Sequence, residues 1–240
     1  MAAPIRVHKG LGMFRAKIMA GIVAVMMAVL MMGVMAVTPS STALVQEFTA
    51  LHRAAVARDD AAINRLLYGG GDIEARSEDG WTPLHYAAKV GDVAAIHRLL
   101  DGGADIDARN KYGFTPLHSA ASLGRGDAIN RLLNGGADIN VHTEDGWTPL
   151  HHAALDGHGN AITSLLNGGG HIDARTKYGW TPLHIAALGG QGKALTVLLN
   201  AGANPRAKDE ADLLPIDYID ENNAAYQSEG YWRLNEAQYE

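Results

Sequence analysis

Five histidines, His52, His85, His118, His151 and His184, recur at intervals of 33 residues, and His152 stands beside the fourth. Repeated imidazoles invite two chemistries, metal ligation and proton transfer. The spacing argues against a shared metal. If each histidine belongs to one unit of a stack, neighbours stand about a helix diameter apart, roughly 10 Å, whereas all ligands of one zinc lie within about 2 Å of it. His151 and His152, adjacent on a helix, point about 100° apart and form no chelate. The expectation is therefore no metal, and imidazoles buried against threonine and the backbone of adjacent units. Nor do Gly69-Gly70-Gly71 and Gly168-Gly169-Gly170 cradle phosphate, because each follows a predicted helix and no Gly-Lys-Ser/Thr sequence is present. No motif places a nucleophile beside a base. A hydrolase or metalloenzyme built on the histidines would need a stoichiometric metal or a labelled nucleophile; the sequence points instead to a non-enzymatic chain without cofactors.

The elements that position these histidines repeat with them. Thr-Pro-Leu-His occupies 82–85, 115–118, 148–151 and 181–184, with Thr49-Ala50-Leu51-His52 one period before and Leu214-Pro215-Ile216-Asp217 one period after. Units therefore begin near 44, 77, 110, 143, 176 and 209, six in all and degraded at both ends, where a solenoid needs atypical caps. Within residues 77–109, Asp79-Gly80 marks a turn. Thr82 is the expected N-cap, its hydroxyl free to accept from exposed N–H groups, and Pro83 fits the first helical position. Thr115, Thr148 and Thr181 repeat this role. Leu84, Ala87 and Ala88 give a first helix a small apolar face, and Gly91 ends it. Val93, Ile96, Leu99 and Leu100 make the stripe of a second helix. Neither helix can bury its face alone, so stacking must supply the core.

The stretches Gly80-Trp81-Thr82-Pro83-Leu84-His85-Tyr86-Ala87-Ala88 and Gly103-Ala104-Asp105-Ile106-Asp107-Ala108 resemble the ankyrin repeat, and the likeness returns at every period over about three quarters of the chain. It implies an all-α repeat solenoid of helix-turn-helix units, with β-hairpin fingers along one edge, that binds other proteins through a concave face of fingers and first helices. Residues 223–240 follow the repeats at 44–222. Their Tyr226, Tyr231, Trp232, Leu234 and Tyr239 predict a helix near 230–238 folded over the end of the stack. The sequence Tyr231-Trp232-Arg233-Leu234-Asn235 is similar to the tail of some bacterial ankyrin-repeat proteins, which implies a bacterial origin.

Several positions depart from the pattern. Gly126, Gly159 and Gly192 stand where Val93 does, each at a cost of up to about 1 kcal/mol inside a helix, and Asp127 and Asn160 are candidate N-caps. At the stop of the first helix, Arg58 and Asn223 replace glycine, and asparagine tolerates the left-handed conformation better.

One aromatic per unit follows the turn glycine: Trp81, Phe114, Trp147 and Trp180. The resemblance places this position within the recognition surface, joined from the first helices by Tyr86 and His152. Trp and Tyr are enriched in binding hot spots, so these six residues are the candidate protein-binding site. Rings that merely stack and stiffen the fingers are the competing reading, and the two are compatible. At the fingertips Glu78-Asp79, Lys111-Tyr112, Glu144-Asp145 and Lys177-Tyr178 alternate in sign, so the chain is more alike at a spacing of 66 than at 33, as duplication of a pair would leave it.

All eight methionines lie within residues 1–35, and no cysteine is present, which excludes disulfides and thiolate chemistry. Arg6, Lys9, Arg15 and Lys17 precede the uncharged stretch 18–37, the layout of an export signal or of an uncleaved signal anchor. A buried soluble helix is the third reading. Residues 1–43 are thus a signal peptide or anchor, with small residues for cleavage near Val37 or Leu44. Either membrane reading carries the repeats across the membrane, to the periplasm or beyond. The first 43 residues hold 4 of the 20 basic residues and none of the 26 acidic ones, so 44–240 carry 16 against 26, a net −10. Such a surface disfavours nucleic acid, and membrane contact is confined to 18–37. Together these features describe an exported monomer that binds another protein, or alternatively a membrane-anchored structural element of the envelope without a soluble ligand.

Overall fold

The computed structural model describes residues 49–237 and 239. The expected signal or anchor, including 18–37, lies outside the described residues, and among those described no helix is long and apolar enough to cross a membrane. Five helix pairs follow one another: α1 (Ala50–Ala57) and α2 (Asp60–Tyr68), α3 (Pro83–Val90) and α4 (Val93–Asp101), α5 (Pro116–Ser122) and α6 (Gly126–Asn134), α7 (Pro149–Leu155) and α8 (Gly159–Asn167), α9 (Pro182–Leu188) and α10 (Gly192–Asn200). A short 3₁₀ turn, Pro215–Tyr218, replaces a sixth first helix, and α11 (Glu229–Ala237) closes the series. First helices pack on first helices and second on second. Leu84, Leu117 and Leu183 from the former, with Ile96, Ile129, Ile162, Leu99, Leu132 and Leu165 from the latter, are fully buried in the core so formed. Alanines at 87–88, 120–121, 153–154 and 186–187, also solvent-free, let the first helices approach closely.

The threonine caps take on more than the expectation gave them. Thr82, Thr115 and Thr148 are N-caps in extended conformation, each in a reciprocal capping box with the histidine three residues on, and Thr49 and Thr181 accept the His52 and His184 N–H at 3.4 and 3.5 Å. The hydroxyl also meets the imidazole: Thr82 Oγ1 lies 2.8 Å from His85 Nδ1, and the Thr82 N–H donates to the same nitrogen at 3.1 Å. Imidazole, larger than the usual capping carboxylate, takes both donors at once. The second helices correct an expectation. Asp59 and Asp92 cap theirs, but Gly126, Gly159 and Gly192 are first helical residues behind Arg125, His158 and Gln191, none of which makes a side-chain cap. Asp127 and Asn160 fall one residue inside, because Arg125 and His158 already bond back to the preceding helix through Ala120 O and Ala153 O.

Among the described residues the fingers contain no strand. Each is a five-residue turn closed by two backbone bonds, such as Ser77 N–H to Trp81 O at 2.9 Å and Gly80 N–H to Ser77 O at 2.8 Å. The first residue of the turn, Ser77, Asn110, Thr143, Thr176 or Asp209, accepts the N–H of the fifth through its side chain. That side-chain bond occupies a donor a strand ladder would need, so the fingers stay turns. Successive fingers are tied by Lys111 N–H to Asp79 O and Lys177 N–H to Asp145 O. Arg76 and Arg109 each reach one unit ahead, to Arg109 O at 2.7 Å and His142 O at 2.6 Å. Beneath them Glu74, Asp107, Asn140 and Asp173 each accept a backbone N–H of the following unit. The repeated acids are thus joints of the stack.

In the first unit Arg58 holds the left-handed conformation at φ 56°, while at the far end Asn223 does not adopt it. The Asn223 amide donates instead to Ala187 O and Tyr218 O and so fastens the tail. Helix α11 packs on α10, with Tyr231 and Leu234 inward and Trp232 50% exposed.

Candidate functional site

The histidines are spent on structure. In every unit Nδ1 faces the threonine, and Nε2 lies 2.9–3.2 Å from a carbonyl 29 residues ahead: Trp81 O for His52, Phe114 O for His85, Trp147 O for His118, Trp180 O for His151 and Leu213 O for His184. A nitrogen that accepts a backbone N–H is unprotonated, so the proton sits on Nε2 and donates to the carbonyl. The ring therefore joins its own helix start to the next finger. Burial is the main cause that pushes these imidazoles down, to about 4 for His85 and His151 and about 3 for His118. Among the described residues no group of three or more acids and histidines is arranged to hold a metal.

Each carbonyl in that set except the last belongs to an aromatic finger residue, so the histidines position the aromatic column directly. Trp81 and Phe114 rings lie 6.2 Å apart, Phe114 and His152 4.6 Å, and His152 and Trp147 5.1 Å. Trp180 forms a separate group with Tyr218 at 6.3 Å. The six expected binding residues divide by exposure. Trp81, Tyr86 and Phe114 are half-buried and face solvent on the side of the first helices, whereas Trp147 is 8% exposed and His152 and Trp180 are each 3% exposed.

The buried three have different surroundings. Trp180 Nε1 donates to Asp209 Oδ2 at 3.2 Å and to Tyr218 Oη at 2.9 Å, and Tyr218 donates to the same carboxylate oxygen. Trp180 is thus a clamp between the last finger and the 3₁₀ turn. His152 has no hydrogen-bond partner on either ring nitrogen. Burial, with His118 and His151 close by, holds it well below the ordinary histidine range.

One residue of the open group escaped the sequence reading. Lys89 Nζ sits over the Trp81 ring, 5.6 Å from its centroid. Its register position is filled elsewhere by Val56, Ser122, Leu155 and Leu188. A single cation against the uncharged residues of the other four helix pairs was the signal available. An open groove of about 570 Å³, lined by Gly157, His158, Asn160, Lys193, Thr196 and Glu229 among others, includes none of the column residues.

No curated protein is found to match the chain. The family model for ankyrin repeats matches residues 51–143 and 124–209, well over half of the sequence. With its threonine–proline helix starts, histidine joints and stacked helix pairs, the chain belongs to the ankyrin repeat family.

Proposed function

We propose that this chain is a non-enzymatic, monomeric binding module that engages another protein through the face made by its fingers and first helices. Ankyrin repeats generally mediate protein–protein interaction. The observation that carries the more specific reading is the half-buried cluster of Trp81, Tyr86 and Phe114, three contiguous rings open to solvent at one end of a column whose other end is closed. Large rings at the margin of a rigid scaffold offer contact area at little entropic cost. The histidine and threonine groups that catalysis would call on are already hydrogen-bonded within the stack, which supports a binding role over a chemical one.

The test is crosslinking capture from the native host with the full chain and a Trp81→Ala/Phe114→Ala variant shown by circular dichroism to be folded. A partner captured by the first and lost by the second supports this face. Equal capture by both would reject it.

Export of the repeats belongs to the same proposal and is supported by the basic flank and apolar stretch of residues 1–37. A mature N-terminus near Val37 or Leu44 in the extracytoplasmic fraction is expected. An intact chain in the membrane fraction would favour the anchored envelope element, and an intact chain in the cytosol would rule out both.

A further inference from the structure

Among the described residues Lys89 has no ion-pair partner, and it stands at the edge of the open aromatic cluster. The ion pairs among the described residues are His97–Asp101, Arg98–Asp60, Lys177–Asp145 and Lys208–Asp212, and none involves it. Burial pushes its ammonium below the ordinary lysine range. Three carboxylates of the first two units are engaged elsewhere. Asp59 and Asp92 accept helical N–H groups at the starts of α2 and α4, and Asp79 accepts the Tyr112 hydroxyl at the fingertip. Two further cations gather at the end of α3: Arg58 donates to Val90 O, and Arg125 Nε donates to Lys89 O at 3.1 Å. This part of the surface is locally basic on a repeat body that is net −10 over residues 44–240.

We propose that Lys89 receives a carboxylate of the partner, an Asp or Glu side chain next to a large apolar residue that lies over Trp81, Tyr86 and Phe114. The inference rests on the reading of that face as the binding surface and adds the chemistry of what it reads. A half-desolvated ammonium over an indole is already held in place, so a carboxylate arriving there gains a charge-assisted contact in a medium that screens weakly. The acidic body limits the ligand further. A highly acidic surface would be repelled, so the ligand is one acid within an otherwise apolar or neutral segment.

The experiment is selection of random displayed peptides on the immobilised full chain, repeated on Lys89→Met, Lys89→Glu and Trp81→Ala variants of unchanged circular dichroism. Methionine keeps the apolar stem over Trp81 and removes only the charge. Expected are peptides with Asp or Glu beside Leu, Phe or Trp, about tenfold weaker on Lys89→Met, and a switch to Lys or Arg when selection is repeated on Lys89→Glu. Peptides that depend on Trp81 but carry no acid, or that bind Lys89→Met equally well, would overturn this inference and leave the binding face standing. Absence of selected peptides, or peptides indifferent to Trp81→Ala, would overturn both.

Discussion

Gly230 of the last helix lies directly on Gly192 of α10: a Cβ at Gly230 would come 2.7 Å from Gly192 O and 2.5 Å from the Leu195 Cβ. A Cβ on Gly192 would in turn meet Ser228 at 2.7 Å. The other two glycines of the same register are unconfined, since a Cβ on Gly126 or Gly159 meets one side-chain atom at 3.7 or 3.6 Å, an ordinary contact. Three glycines that look equivalent in sequence therefore have opposite sensitivities. Gly126→Ala and Gly159→Ala should each stabilise the protein, by about 0.5 kcal/mol, through the unfolded chain. Gly192→Ala and Gly230→Ala should lift α11 from α10 and destabilise by about 1–3 kcal/mol. Thermal midpoints of the four variants, with hydrogen exchange at residues 229–237, check this. A stabilised Gly230→Ala would contradict the packing.

The same glycines show how far the sequence could be read. The period, the helix pairs and their breaks are local patterns, written in Thr-Pro-Leu-His and in the Leu-Leu pairs, so they were legible. The close approach of Gly192 depends on Ser228 and Gly230, which lie outside the repeat and have no register to extrapolate. The candidate site divides in the same way. A ring at each of 81, 114, 147 and 180 was visible, but Trp147 and Trp180 are hidden by neighbours that vary between units: His152 covers one, and Asp209 with Tyr218 covers the other. Tyr218 occupies the register of Tyr86, yet its hydroxyl turns inward because the last finger begins with an aspartate where others have Ser, Asn or Thr.

Acid should unfold the stack through its histidines. In the folded chain His85 and His151 titrate at about 4 and His118 at about 3, against 6.5 for the free side chain. Below 6.5 the unfolded chain binds protons that the folded chain refuses, so stability is complete above that pH and falls as pH drops toward the folded values. Each of the three contributes a slope of roughly 1 kcal/mol or slightly more per pH unit, and His52 and His184, also lowered chiefly by burial, add in the same direction. Urea denaturation between pH 7 and pH 4 should show a steep loss that salt changes little. His118→Gln should lower stability at pH 7 by about 2 kcal/mol, through its buried bonds, and reduce the slope. A slope unchanged in that variant would show that other groups cause the acid sensitivity.

Trp180 and Trp81 should respond differently although they share a register. Trp180→Phe removes the N–H that reaches Asp209 and Tyr218, leaving a buried carboxylate with fewer donors, and should cost about 2–3 kcal/mol. Capture of a partner below the unfolding temperature should be unaffected. Trp81→Ala exposes less core and should lose partner capture at a smaller cost in stability. Paired measurement of midpoint and capture separates the two, and loss of capture in Trp180→Phe would place the binding surface at the C-terminal fingers instead.

Among the described residues His152 is the one buried imidazole that the stack does not hydrogen-bond. Its neighbours in the series donate and accept on both nitrogens, whereas His152 Nδ1 and Nε2 meet only the rings of Phe114, Trp147 and His118. Burying polar atoms without partners costs about 1–3 kcal/mol, and ring contact returns part of it. His152→Leu keeps an apolar side chain of similar bulk between Phe114 and Trp147 and removes both orphaned nitrogens. The variant should gain about 1 kcal/mol, or about 2–4 °C in thermal midpoint for a domain of this size. Trp81 and Tyr86 should keep their places in the open cluster, and only Phe114, whose ring lies 4.6 Å from His152, is exposed to the change. A lower midpoint would mean that the imidazole has a polar partner after all, and a higher midpoint with weakened capture would return His152 to the recognition surface as the residue that sets the tilt of Phe114.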